Sequence, residues 1–198
     1  MEEREVLRQA QRGDAQAFEQ LVTPYERRLY AVCLRMMGSP ESAQDAMQDG
    51  MLRLWRGLAG FQTHAQFGTW AYRVMTNACL DALRKQTIRE ASSLEALEDV
   101  GFSPPDPGQT PEEALEAADR RQAIQDALQA LAPDARAALV LRDIQGESYE
   151  AAAEALGVSL GTVKSRIHRA REKMAALLAQ NTELFGRSPV QPDERRRS

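Results

Sequence analysis

The stretch ALGVSLGTVKSRIHRAREKM, residues 155–174, permits very few local folds. Val163, Ile167, Ala170, Met174 and Leu177 advance by four, three, four and three residues, which is the spacing of one apolar stripe along an α-helix. Gly157 stands where a left-handed residue would end a preceding helix, and Ser159 is placed to cap the next one. Upstream, Ala151, Ala152, Ala153 and Ala155 are small enough to let a second helix approach closely. Helix, tight turn and helix are therefore specified locally. Opposite the stripe lie Lys164, Ser165, His168 and Arg169, with Arg166 and Arg171 on the flanks and the acid Glu172 a turn further on. A basic helix face is often simply solvated. Here the tight turn and the clean division of faces favour an anionic groove, which the first two turns would accept and the later ones repel. The Lys and Arg side chains suit phosphates, and Lys164 or Arg169 can reach guanine edges in a major groove.

Helical periodicity extends through the rest of the chain, and no strand-type alternation is evident. The pattern predicts a short helix up to Arg12, then helices over about 17–37, 41–58 and 66–85, separated by Gly and Pro punctuation. Ser39-Pro40-Glu41 is a strong helix start, with a capping hydroxyl, proline at the first helical position and an acid in the first turn. From Glu90 to Asp119 there is no Lys or Arg but there are nine acids, around GFSPPDPGQTP, so this segment reads as a linker with an acidic skin. Periodicity resumes at Pro111 with Ala114, Leu115, Ala118, Ile124, Ala127, Leu128 and Leu131, and Pro133 restarts the chain. Helices over Pro133–Asp143, Tyr149–Leu156 and Leu160–Ala179 follow. The expected fold is all-α, with two small helical domains over 1–88 and 111–180, a flexible acidic linker over 89–110 and a disordered tail over 181–198.

A hydrophobic fraction of 43% with 27% charged residues is that of a globular chain able to bury a core. The net charge of −4 speaks by its sum against a nucleic-acid partner, but the distribution of charge matters more. Cys33 and Cys79 lie far apart without metal-binding spacing and read as small buried hydrophobes. No nucleophile–base pair, phosphate loop or metal constellation is present, and His64 and His168 lack catalytic partners nearby in sequence. The expectation is a non-enzymatic cytoplasmic protein with no cofactor, no metal and no membrane insertion.

Two blocks resemble one family. LAPDARAALVLRDIQGESYEAAAEALGVSLGTVKSRIHRAREKM is similar to region 4 of the bacterial sigma factors of the extracytoplasmic-function (ECF) group, in the sigma-70 superfamily. DAMQDGMLRLWRGLAGFQTHAQFGTWAYRVMTNACLDALRK is similar to their region 2. Their order, with a linker between, covers most of residues 10–180. The resemblance implies a promoter-specificity subunit that binds core RNA polymerase (its beta and beta-prime subunits) and promoter DNA, under the control of an anti-sigma factor. The alternative from another class is a stand-alone helix-turn-helix transcriptional regulator, which would use only the C-terminal block.

Carried over position by position, the resemblance implies polymerase docking through Asp45, Gln48 and Asp49, which share one helix face. Ala46 and Gly50 depart from the family pattern, and Gly50 in mid-helix costs about 1 kcal/mol, so looser packing is expected there. Phe61, Gln62, Thr63, His64, Thr69, Trp70, Arg73, Asn77 and Arg84 are implied to hold melted −10 DNA. Asn77 is the foremost candidate for a base contact, because an amide both donates and accepts. Thr69, Arg73, Asn77, Leu80 and Arg84 recur on one helix face, with Trp70, Val74 and Ala78 leading to the core. The aromatic residues are either base platforms or core, and core suits Phe67 and Trp70 better than Phe61. Lys164, Ser165, Arg166, His168, Arg169 and Arg171 are implied to face the −35 element. The linker is either a passive tether or a strand threading the polymerase channel that later holds RNA.

Overall fold

The computed structural model describes residues 3–62, 66–90, 111–181 and 185, without the side chains of 89, 90 and 111–114. Thr63, His64, linker residues 91–110 and the tail beyond 181, save 185, lie outside the described residues. Among the described residues every regular element is helical: α1 Glu3–Gln11, α2 Ala15–Met37, α3 Pro40–Gly57, α4 Phe67–Glu90, α5 Pro111–Gln129, α6 Pro133–Leu139, α7 Tyr149–Leu156 and α8 Leu160–Leu178. A single 3-10 turn, Leu58–Gly60, follows α3.

Local chemistry sets the boundaries. Asp14 caps α2 by accepting from the backbone N–H groups of Gln16 and Ala17 at 2.9 and 3.1 Å. At the other end Gly38, at φ 91°, donates to Leu34 O and ends the helix. Ser39 accepts from Ser42 N–H at 3.2 Å with Pro40 opening α3, as its sequence predicts. The helix expected over Pro133–Asp143 instead widens after Leu139 into a π-type turn, Val140–Ile144, closed by Gln145 N–H donating to Val140 O at 3.0 Å.

Helices α1–α4 bury Leu29, Val32, Cys33, Met36, Leu54, Leu58, Tyr72 and Met75. Helices α5–α8 bury Leu128, Leu131, Leu141, Val163 and Ile167, with Ala137, Ala138, Ala152 and Ala155 allowing close helix approach. The two cores merge into one cluster. The looser packing expected at Ala46 and Gly50 is corrected: both are buried, and a Cβ on Gly50 would stand 2.3 Å from Met75 Sδ. Glycine is what lets α3 and α4 approach this closely.

Where the two halves meet, the last-turn carbonyls of α2 receive donors from α5 and α6. Gln125 Nε2 donates to Leu34 O at 3.2 Å, Gln129 Nε2 to Arg35 O at 3.1 Å, and Arg136 Nη1 to Met36 O. Arg136 also donates to the Gln129 side-chain oxygen, to Gln129 O at 2.7 Å and to Leu131 O at 3.3 Å. It is 4% exposed, and burial pushes its guanidinium down to about 10. It therefore stays charged at neutral pH, facing the negative end of the α2 dipole.

Candidate nucleic-acid interface

Gly157 adopts the left-handed conformation, φ 64° and ψ 33°, and its N–H donates to Ala153 O and Glu154 O to end α7. Ser159 then accepts from Thr162 N–H at 3.1 Å to begin α8. Val163, Ile167 and Ala170 are buried, whereas Lys164, Ser165, His168 and Arg169 lie exposed together on the opposite side. Arg169 is exposed, and among the described residues its hydrogen bond stays within its own helix, Nε donating to Ser165 O at 3.3 Å. His168 Nε2 lies 3.5 Å from Glu172 Oε1.

The two flanking arginines turn back towards the protein. Arg171 forms a two-pronged pair with Asp143 at 2.8 and 2.6 Å, and that hydrogen-bonded carboxylate holds its guanidinium well above the usual arginine range. Arg166 lies 3.5 Å from Asp134. Arg142 and Lys164 both approach the Tyr149 ring, at 4.7 and 5.7 Å from its centroid. Asp143, Asp134 and Tyr149 thus fix the attitude of α8, and its exposed face narrows to Lys164, His168 and Arg169 around Ser165.

On α4, Arg73 and Asn77 are exposed one turn apart, and Arg84 is exposed but pairs with Asp81 at 2.9 Å. Thr69 is half-buried, and its hydroxyl lies 3.3 Å from Glu147 Oε2. Leu80, expected on the exposed face, is buried, because α4 is packed on more than one side. Phe67 is buried as expected, but the placing of Trp70 above Phe61 as a core residue is corrected. Phe61 is buried, with its ring centroid 4.9 Å from Trp70 and 6.0 Å from Phe67, while Trp70 remains partly exposed. Gln62 is exposed beside this cluster. Gln11 Nε2 donates to Phe61 O at 2.8 Å and to Leu58 O at 3.2 Å, so α1 anchors the start of the loop. Nothing in the sequence near Gln11 signals that role.

Asp45, Gln48 and Asp49 are exposed on α3, and Asp49 is held by Arg53 at 2.8 Å. Arg53 also bonds Asp81 at 2.6 Å and holds its carboxyl below the usual carboxylate range, which ties α3 to α4. Asp45 and Gln48 line an open groove with Glu26, Tyr30, Gln44 and Met47. The same stripe continues to Leu52, 48% exposed, and Trp55, 36% exposed and edge-on to Phe18 at 5.1 Å. Leu52 and Trp55, which the sequence reading missed, fall seven and ten residues beyond Asp45, a helical spacing that could have placed them on this face.

A helix-turn-helix with a solvent-facing cationic first half, joined to a helical bundle with an acidic and aromatic outer face, defines a DNA-binding transcription protein. Residues 21–88 match the family described as Sigma-70 region 2, and residues 121–174 the family described as Sigma-70, region 4. The ECF RNA polymerase sigma factor SigM of Mycobacterium tuberculosis is 39% identical over 166 residues, spanning 84% of this chain and 79% of SigM. SigE of Mycolicibacterium smegmatis, also an ECF RNA polymerase sigma factor, is 36% identical over 167 residues; the match spans 84% of this chain and 63% of SigE. The sigma factor RpoE of Bartonella quintana, in a co-crystal with the anti-sigma factor NepR, superposes with a TM-score of 0.68 at 26% identity. That superposition covers 83% of this chain and 98% of RpoE. The chain belongs to the ECF group of the sigma-70 family of RNA polymerase sigma factors. Among the described residues no helix is long and apolar enough to cross a membrane.

Proposed function

We propose that this chain is the promoter-specificity subunit of a bacterial RNA polymerase, acting in the cytoplasm and without catalytic chemistry of its own. Residues 1–88 form the domain for core docking and −10 DNA, residues 111–180 the domain for −35 DNA, and 89–110 the tether between them. The observation that carries the reading is the α8 face: Lys164, Ser165, His168 and Arg169 stand exposed while the neighbouring arginines are committed to internal carboxylates. Lys164 and Arg169 enter the −35 major groove with the N-terminal half of α8. The Arg171–Asp143 clamp keeps the helix at its docking angle.

On the other domain, Asp45, Gln48 and Asp49 with Leu52 and Trp55 dock on core polymerase, a charged and apolar surface suited to a basic helical partner. Arg73 and Asn77 hold the melted strand, Arg73 against a phosphate and Asn77 against a base edge. Phe61 packs on Trp70 at the start of α4, next to this face. An anti-sigma factor as regulator is supported by the RpoE relative, whose structure contains one.

Run-off transcription with purified core polymerase on genomic fragments tests this reading. Promoter-dependent transcripts are expected, and Arg169→Ala should reduce them at least tenfold while leaving core binding intact. Tight promoter footprints by the chain alone, with no core binding, would instead identify a stand-alone regulator.

A further inference from the structure

The chain leaves its 3-10 turn at Phe61 and re-enters helix at Phe67, and the loop between them begins with the exposed Gln62. Both feet of this loop are held from α1, directly or through Tyr25, and α1 is assigned to no DNA or polymerase surface. At the first foot Phe61 is fixed through main chain and ring alike. Its N–H donates to Leu58 O at 3.0 Å, its carbonyl accepts from Gln11 Nε2 at 2.8 Å, and its ring is buried against Phe67 and Trp70. Gln11 Nε2 also donates to Leu58 O at 3.2 Å, so both hydrogens of one amide are spent on the turn. At the second foot Phe67 packs edge-on to Tyr25 of α2 at 5.4 Å. The backbone of Gly68 comes so near the Tyr25 ring that a Cβ would stand 2.7 Å from its Cε1. The Tyr25 hydroxyl in turn donates to Glu3 Oε1 at 3.5 Å. Glu3 and Gln11 are the first and last residues of α1, about 12 Å apart at the helical rise.

An unpaired base is read only where the groups that meet it stand within about 0.5 Å of their places. Ordering a slack loop around that base would subtract from affinity, and a loop with fixed feet avoids the loss. Two hydrogen bonds that water could replace add little to the stability of the whole bundle, so their effect is on geometry. We propose that Gln11 is a positioning residue for −10 recognition. From the end of α1 it holds the loop in the shape that receives an unpaired base, and it touches no DNA itself; Glu3 and Tyr25 steady the far foot in the same way. This role rests on the reading of the loop and α4 as the −10 face.

Three substitutions of Gln11 separate the donors from the bulk of the side chain. Gln11→Met keeps the length and removes both donors, Gln11→Glu turns acceptors towards two carbonyl oxygens, and Gln11→Lys restores donors on a different group. Each full chain is combined with core polymerase and assayed for heparin-resistant complexes and transcripts on a promoter fragment recovered by the run-off experiment above. Core binding, −35 duplex binding and the urea midpoint are measured alongside. Gln11→Met and Gln11→Glu should lower heparin-resistant complexes about tenfold, the order of two ordinary hydrogen bonds, with the other three measurements unchanged. Gln11→Lys should recover most of the loss. A Gln11→Met holoenzyme that opens promoters as wild type does, or a loss that Gln11→Lys fails to restore, overturns the proposal. So does a loss shared by core binding or −35 binding, since a general fault in folding moves all three. Asn77→Ala, run in parallel, tests the face itself. Loss of opening with Asn77→Ala but not with Gln11→Met overturns the positioning role and leaves the −10 reading standing; the reverse pattern supports the role and removes Asn77 as a base contact.

Discussion

Gly50→Ala sets two effects of similar size against each other. In an exposed helix interior the substitution stabilises by about 1 kcal/mol through propensity alone. Gly50 is buried, however, and an alanine Cβ would stand 2.3 Å from Met75 Sδ and 2.8 Å from Cε. Ordinary contact is about 3.8 Å, so the thioether would have to move by about 1.5 Å. Met75 is fully buried, and forced repacking of a close-packed interior costs about 1–3 kcal/mol. The net expectation is a loss of about 1 kcal/mol, read as a lower urea midpoint at unchanged slope by far-ultraviolet circular dichroism. Met75→Ala alone should cost about 2–5 kcal/mol, and in that background Gly50→Ala should become stabilising by about 1 kcal/mol. The coupling of about 2 kcal/mol is the signature of contact. Stabilisation by Gly50→Ala in the wild-type background, or equal effects in both backgrounds, would refute the claim that glycine sets the α3–α4 distance.

Three further outcomes are expected. Gly157→Ala should destabilise by about 1–2 kcal/mol in thermal unfolding, and through backbone strain alone, since φ is +64° and nothing lies within 4 Å of the added Cβ. Arg171→Ala and Asp143→Ala should lower stability by about 1 kcal/mol or less and weaken −35 duplex binding to a similar extent, whereas Arg169→Ala should weaken binding with stability unchanged; denaturation and fluorescence anisotropy separate them. Cys33 and Cys79 are fully buried with sulfurs 3.8 Å apart, and the shared hydrogen bond and burial push the Cys33 thiol up. Both should resist iodoacetamide in the native chain at pH 8 and react once urea unfolds it.

Much of this was readable from the residues because the signals were local. The capping hydroxyls of Ser39 and Ser159 and the left-handed Gly157 act within their own turns, so helix boundaries followed from spacing. The face of α8 was legible for the same reason: one stripe of apolar residues implies one solvent side. That assumption fails for α4, which is packed on more than one side, and Leu80 was misplaced accordingly; Phe61, just after the 3-10 turn, is buried by Phe67 and Trp70, contacts that no helical period signals. Gly50 read as a weak point because a sequence shows the missing side chain but not the neighbour occupying its space. The contact between the two halves was the least visible feature. Gln125, Gln129 and Arg136 look like solvated polar residues, and the groups that receive them are backbone carbonyls, which every residue has.

That last asymmetry bears on how such a chain can evolve. The acceptors at Leu34, Arg35 and Met36 are main-chain atoms, so substitution within the end of α2 leaves them in place as long as the helix forms. Heritable variation in these three bonds must therefore arise mainly on the donor side, in α5 and α6, whereas the Arg28 and Arg35 side chains of α2 add bonds to Gln145 O and Gln125 Oε1 that their own codons control. The coupling can drift or strengthen through a few codons in the helix ends that meet there while the exposed faces of α3 and α8 are inherited unchanged.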